Sequence, residues 1–359
     1  MKKFFLPFLT LAVALVSTSC QDENDMPNVP SGDKISYTGD NVVFNIKTPD
    51  GAPRTRTQDG NGWYGNGVDA EVLNYAVYEK TASGEISIVT GSTKGGPKPV
   101  ETADGWTLSL NIPAGIEYRA VFFADAFGAT EDDQCAWFVE WDDADIHFTG
   151  LPSQGDGSDA FFALFDSETD KSLIGADGIN ITMRRPFVQM NVISNELDNK
   201  VVASKFRNGV TSTMQFMDID DRIGYPEYWY FLTDEIQFLA QDKYASSCVF
   251  PGDETKKVTF NGKQYDLLYM GYYFAPASST EVDATPDRLE FRFGPKGSTP
   301  VSTCQVSLAN GATDLFQRNQ RVIIYHDASQ GGNGFFSAQT NFSIAVDPGF
   351  SNQSAVAVD

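Results

Sequence analysis

The chain has little with which to run histidine or cysteine chemistry. Its 359 residues include 2 histidines, His147 and His326, and 4 cysteines, Cys20, Cys135, Cys248 and Cys304. Neither histidine neighbours a nucleophile, and there is no G-x-S-x-G elbow and no H-E-x-x-H pair, which excludes the familiar serine-hydrolase and zinc-protease patterns. The cysteines are too few and too widely spaced for a disulfide framework or a zinc ribbon. Cys248 and Cys304 alone are open to pairing. Basic residues are scarce too: 26 Lys and Arg against 48 Asp and Glu give a net charge of −22. Such a surface is repelled by phosphate backbones and anionic lipid head groups, which argues against nucleic acid as a partner and against electrostatic docking on membranes. Beyond Val16 no run approaches the ~18 to 20 apolar residues of a membrane helix. Helical periodicity is also rare, with short candidates near Ala160 to Thr169 and Trp229 to Gln241.

What is present begins at the N-terminus. Lys2 and Lys3 precede mostly apolar residues from Phe4 to Val16, then small residues up to Cys20. Residues 1–19 read as a secretory signal peptide, too short to remain as a spanning helix. The run "VSTSC" resembles the lipobox of bacterial lipoproteins, whose cysteine thiol takes a diacylglycerol, so Cys20 is the expected lipidation site. An unmodified exposed thiol would be a liability in an oxidising compartment. The chain is thus expected to be anchored to a membrane through Cys20 without crossing it. Residues 20–34, polar and holding Pro27 and Pro30, read as a flexible tether.

After the tether, short segments alternate apolar and polar residues with the period of half-buried strands. In "WTLSLNIP", Trp106, Leu108, Leu110 and Ile112 share one face. The same rhythm runs through segments starting at Val42, Tyr75, Tyr118, Arg288, Arg321 and Asn341. Asn261-Gly262 sits between two alternating runs and supplies the positive φ angles of a type I′ hairpin. The fold class is therefore all-β. A single sandwich would be overfilled by some 340 residues, so two β-sandwich domains are expected. The polar "SETDKSLIGADG" at 167–178 places them at 35–175 and 176–359.

Candidate sites are few. "GNGWYG" at 60–65 matches G-x-G-x-x-G but has no amphipathic helix behind it, so it reads as a loop and not as a dinucleotide cradle. The acidic runs "EWDDAD" (Glu140 to Asp145) and "MDIDDR" (Met217 to Arg222) supply carboxylates for a loop cation or for glycoside cleavage. Neither fits an EF-hand, and abundant acids make such clusters ordinary. No metal or cofactor is expected. "YPEYWYF" at 225–231 is the richest aromatic cluster; Tyr228 and Trp229 are its candidates for stacking on a sugar ring, against the plainer reading that they fill the core.

Three stretches carry a resemblance: "DAFF" (159–162), "MRRPFVQMNV" (183–192) and "FQRNQRVIIY" (316–325), the last followed by the terminal strand pattern "NFSIAVDPGF". With "YAVYE" and "GIEYRAVFFAD" in the first half, this order resembles the fimbrillin-like, pilin-related surface lipoproteins of Gram-negative gut and oral anaerobes, over nearly the whole chain after Cys20. The resemblance implies transthyretin-like sandwiches, no enzymatic activity and a structural, adhesive or anchoring role in pilus-like fibres at the outer membrane. It also implies partners that are other fimbrial subunits joined by strand addition, with host or glycan ligands for a tip protein. In pilin members a trypsin-like protease cuts after an arginine near the first strand. Here "APRTRTQDG" offers Arg54 and Arg56, which read otherwise as solvated loop charges. The acids Asp22, Glu23 and Asp25 behind Cys20 resemble a signal for export to the outer face of the outer membrane. The alternatives to a fimbrial subunit are a surface carbohydrate-binding module and, more remotely, a glycan hydrolase.

Overall fold

The computed structural model describes residues 39–48, 70–81, 86–126, 137–148, 159–217, 222–224, 226–238, 245–249, 256–276, 288–298, 300, 302–307, 309–310, 313–314, 316–330, 343–347 and 356–358. The first half supplies β1 (Gly39–Lys47), β2 (Val72–Lys80), β3 (Ile86–Gly91), β4 (Val100–Thr102), β5 (Gly105–Ile112), β6 (Tyr118–Asp125), β7 (Trp137–Glu140), β8 (Asp145–Phe148), β9 (Ala160–Asp166) and β10 (Ile179–Thr182). The second supplies β11 (Phe187–Ser194), β12 (Val210–Met217), β13 (Arg222–Gly224), β14 (Pro226–Tyr230), β15 (Glu235–Phe238), β16 (Ala245–Val249), β17 (Lys257–Phe260) and β18 (Lys263–Phe274). Beyond these lie β19 (Arg288–Pro295), β20 (Ser302–Ser307), the two-residue β21 (Ala309–Asn310) and β22 (Thr313–Asp314), β23 (Gln320–His326), β24 (Ser343–Asp347) and β25 (Val356–Val358). The all-β expectation holds.

Two sheets, β10-β1-β5-β4 and β3-β2-β6-β9, face each other in the first half. Their shared core is built by the alternation read from sequence: Val42, Phe44 and Ile46 of β1 and Leu108, Leu110 and Ile112 of β5 meet Tyr75, Val77, Ala120 and Phe122 of β2 and β6. The strand β10, C-terminal to the expected division after residue 175, runs parallel to β1 with Phe44 opposite Ile179, so it belongs to the first sheet. In the second half the sheet β17-β18-β11-β23-β24-β25 packs against β13-β12-β19-β20, with β16 also paired to β12. Phe216 on β12 meets Tyr273 on β18 at 4.9 Å between ring centroids.

A further sheet, β15-β14-β8-β7, is composite: β7 and β8 come from the first half, β14 and β15 from the second, with Trp229 opposite Ile146. It covers the outer face of β2 and β6, where Tyr78 donates to the carbonyl of Trp141 at 2.8 Å and Val121 and Phe123 join the second core. That coverage explains why β6 is buried on both faces; β11, inside its own sheet, is buried at every position, and the composite sheet reaches it where Trp137 stacks on Phe187 at 5.1 Å. Strands flanked on both sides lose the alternation and read as continuous apolar runs.

The helices expected near Ala160 and Trp229 are absent: those residues lie in β9 and in the β14–β15 hairpin. A short apolar run such as "AFFALF" has no periodicity to separate a doubly covered strand from a buried helix, and burial on both faces decides for the strand. The one α-helix among the described residues is α1 (Lys200–Lys205), started by Asn199, whose side chain accepts a bond from the Val201 N–H at 2.9 Å. The Asn261-Gly262 hairpin is as expected, with φ of 49° and 73°.

Candidate functional site

The position of β1 matters most for the fimbrial expectation. It lies inside its sheet, antiparallel to β5 on one side and parallel to β10 on the other. Val42 and Phe44 are fully buried and Ile46 is 1% exposed, and Phe44 packs on Phe122 and Phe165 at 5.2 and 5.8 Å. Withdrawing β1 would uncover an apolar slot and leave backbone groups of two neighbouring strands unpaired, the condition that strand addition repairs. Arg54 and Arg56 follow β1 and lie outside the described residues; Cys20, the signal and tether segments 1–34, and the loop at 60–65 also lie outside them. At the far end of the chain, β25 pairs with β24 as an edge strand, Ala357 opposite Ala345, so the alternating terminal run takes strand form.

The composite sheet brings together the two sequence candidates on β14 and separates them by face. Trp229 points inward, 1% exposed. Its indole N–H donates to Asp234 at 2.8 Å, Phe162 meets it at 4.5 Å, and the Arg318 guanidinium lies 4.2 Å over its ring, so it offers no free face to a sugar. Tyr228 points outward and is half-buried. There it stands beside His147 at 4.9 Å, and His147 beside Phe138 at 5.1 Å, a row of three rings across β14, β8 and β7. Sequence inspection missed Phe138 and His147 because the pairing of β8 with β14 spans some eighty residues. The only local hint is that both lie on the polar phase of short alternating segments.

Next to this row, carboxylate oxygens of Glu140, Asp143 and Asp145 lie within 4.8 Å of one another. Burial and the adjacent negative charges of Asp143 and Asp145 push the Glu140 carboxyl above its ordinary range. Asp145, itself buried, is bonded to Nδ1 of His147 at 3.1 Å. These carboxylates crowd one short β7–β8 turn; they do not face each other across a sugar-sized cleft, as glycoside hydrolysis requires.

His326 ends β23, opposite Ser194 at the end of the parallel β11. Its Nδ1 is 3.4 Å from the Ser194 hydroxyl and 3.9 Å from Glu196, both on the same ring nitrogen, so these two contacts do not make a relay through the imidazole. Cys248 on β16 pairs opposite Thr211 of β12, and Cys304 on β20 opposite Phe291 of β19, which places them at opposite edges of one sheet. Three strand spacings of about 4.8 Å separate them, roughly 14 Å, about twice the span a disulfide tolerates between Cα atoms.

The motif residues themselves meet in the structure. Asp159 of "DAFF" forms a two-bond pair with Arg185 of "MRRPF", at 2.7 and 2.9 Å, with Arg185 also over the Phe161 ring at 4.7 Å. Gln189 accepts from Nε of Arg321 in the third motif at 2.7 Å and donates to the Tyr272 hydroxyl at 2.8 Å.

The chain is thus a β-rich protein of layered sheets, with a wet aromatic row and an internal first strand. No protein-family model and no curated protein matches it. Among solved structures it is similar to a candidate cell adhesion protein from Bacteroides eggerthii (14% identity, 88% of this chain and 97% of that chain, TM-score 0.38). It is also similar to the tip fimbrial protein Mfa3 from Porphyromonas gingivalis in a C-terminally truncated form (10%, 86% and 98%, TM-score 0.35) and to the fimbrial anchor protein Mfa2 from the same organism (12%, 79% and 90%, TM-score 0.34).

Proposed function

We propose that the chain is a non-enzymatic, fimbrillin-like subunit or anchor of a pilus-like fibre, held at the outer membrane by a lipid on Cys20 and joined to neighbouring subunits by strand addition. The observation that carries the reading is β1: an internal strand with a fully apolar inner face, which two arginines follow closely in the sequence. Cutting after Arg54 or Arg56 severs β1 from the rest of the fold, and its slot then fits an extended strand from another subunit. The expected transthyretin-like build and the division into two domains belong to the same proposal. Limited trypsin digestion of the purified chain is the test. Nicking that leaves Thr55 or Thr57 as a new N-terminus, followed by a ladder of oligomers, supports the reading; a chain cut there that stays monomeric overturns strand exchange.

A second reading has its own support. The outward row Phe138–His147–Tyr228 sets three rings side by side on a sheet face, inclined at 66° and 43° to one another, and a carbohydrate ring could stack on one of them. A tip or capture protein would use it. Glycan binding that disappears on Tyr228→Ala favours that role, while a flat glycan array removes it.

A further inference from the structure

The two strand edges that meet at Phe162 and Arg184 do not stay together. Phe162 on β9 and Arg184, just past β10, exchange both backbone bonds at 2.8 and 2.9 Å, an antiparallel bridge. Continuing that register would set Leu164 opposite Thr182, yet the ladder stops, and the strands splay around a cleft of about 520 Å³ lined by both. A volume of that size lies in the range of real ligand sites.

Its walls are unsatisfied sheet edges. On β9 the even-numbered residues face away from β6: Phe162 bonds Arg184, and Asp166 is closed by Asp170, whose N–H bonds the Asp166 carbonyl and whose side chain accepts from the Asp166 N–H. Leu164, between them, turns its N–H and C=O the same way and has no partner for either among the described residues. On β10, Met183 donates to Lys47 of β1, so the odd residues bond β1 and the even ones turn their backbone groups away from it; the bridge between Ile174 and Ile179 occupies that edge at Asn180, and Thr182 directs its groups to the cleft. Such edges are templates for an added strand.

The charge of the lining selects the strand. Among the described residues Arg184, Arg185 and Arg318 line the cleft and no Asp or Glu does, although acids outnumber bases 48 to 26 in the chain. Arg185 is committed to Asp159 and Arg318 pairs with Asp234. Arg184 is exposed, and its guanidinium has no partner among the described residues. Apolar surface completes the wall, with Leu173 at 38% exposure.

We propose that this cleft receives an extended peptide segment from a partner protein, pairing its backbone with Leu164 and Thr182 and placing a carboxylate side chain against Arg184. The site is separate from the β1 slot and does not depend on proteolysis, so it is tested on the uncut chain. The probe is an array of end-blocked pentapeptides with Glu, Asp, Gln or Lys at the centre, flanked by small apolar residues. Members with central Glu or Asp should bind at least ten-fold better than their Gln and Lys counterparts, and Arg184→Glu should reverse that order. Methylating the peptide nitrogens of a bound member, which keeps its side chains and removes its donors, should weaken it at least ten-fold. The proposal is overturned if no acidic member binds, if the methylated peptide binds equally well, or if free glucuronate competes as well as the peptide, since that would make the site a small-anion pocket. Arg184→Glu is on the surface, and an unchanged thermal melt separates loss of binding from loss of fold.

Discussion

The carboxylate of Asp159 and the guanidinium of Arg185 form a two-bond pair in which both side chains are almost wholly excluded from water. Removing one partner strands a charge in the interior, and such losses cost about 3–5 kcal/mol. Asp159→Ala should therefore lower the urea midpoint severely, while the double change Asp159→Leu with Arg185→Met should recover much of the loss. Equal destabilisation by the single and double variants would show that packing on Phe161, and not the charge, is what the pair contributes.

The same pair shows how far the sequence was legible. "DAFF" and "MRRPF" stand out as motifs, but nothing local says that their Asp and Arg meet, because the contact forms only when β9 reaches the segment after β10. Half-buried strands such as β5 were readable because one face is core and the other is not. Strands covered on both sides were not: β9 resembled a helix, and the hydrophobic β11 gave no facing. Trp229 and Tyr228 are adjacent in sequence, and only the pleat of β14, paired to β8 from the other half of the chain, decides that one is core and the other is outside.

Trp229 and Tyr228 should accordingly separate stability from binding. Trp229→Ala removes a ring packed on Phe162 and beneath Arg318, and large-to-small changes of that kind cost about 3–5 kcal/mol. Tyr228→Ala, on the wet face, should cost no more than about 1 kcal/mol. Calorimetric melts of both variants check this; comparable losses would place Tyr228 in the core.

Cys248 and Cys304 should remain unlinked to each other. With β12 and β19 between their strands, bridging them requires dismantling the sheet. Alkylation without reduction, followed by peptide mass analysis, should find no peptide joining the two. A Cys248–Cys304 crosslinked peptide from folded protein would refute the strand order.

Cys20→Ala tests the anchor. With the proposed lipid absent, no segment of the kind a membrane helix requires remains after the signal peptide, and no helix among the described residues is long and apolar enough to cross a membrane. The variant should move from the membrane fraction to the soluble fraction of lysed cells. Full retention would mean that something other than lipid holds the chain.

Stability should also fall as the medium turns mildly acidic, through His326. Burial pulls its pKa below the ordinary 6.5, more than the charges of Glu196 and Asp327 raise it. In the unfolded chain the imidazole takes up its proton near 6.5, in the folded chain only at lower pH, so between those values the unfolded state binds more protons and gains. The contribution is complete above about pH 6.5 and is lost as pH drops toward the folded value. Asp327 acts in a different window. Burial works to raise its carboxyl, but bonds from Lys263, Ser329 and Asn195 outweigh that and hold it far below the usual carboxylate range, so its stabilisation is lost only below its ordinary 3.8. Urea midpoints at pH 7.5 and 5.5 should therefore drop for the native chain and drop less for His326→Gln; parallel declines in the two proteins would assign the acid sensitivity to other groups.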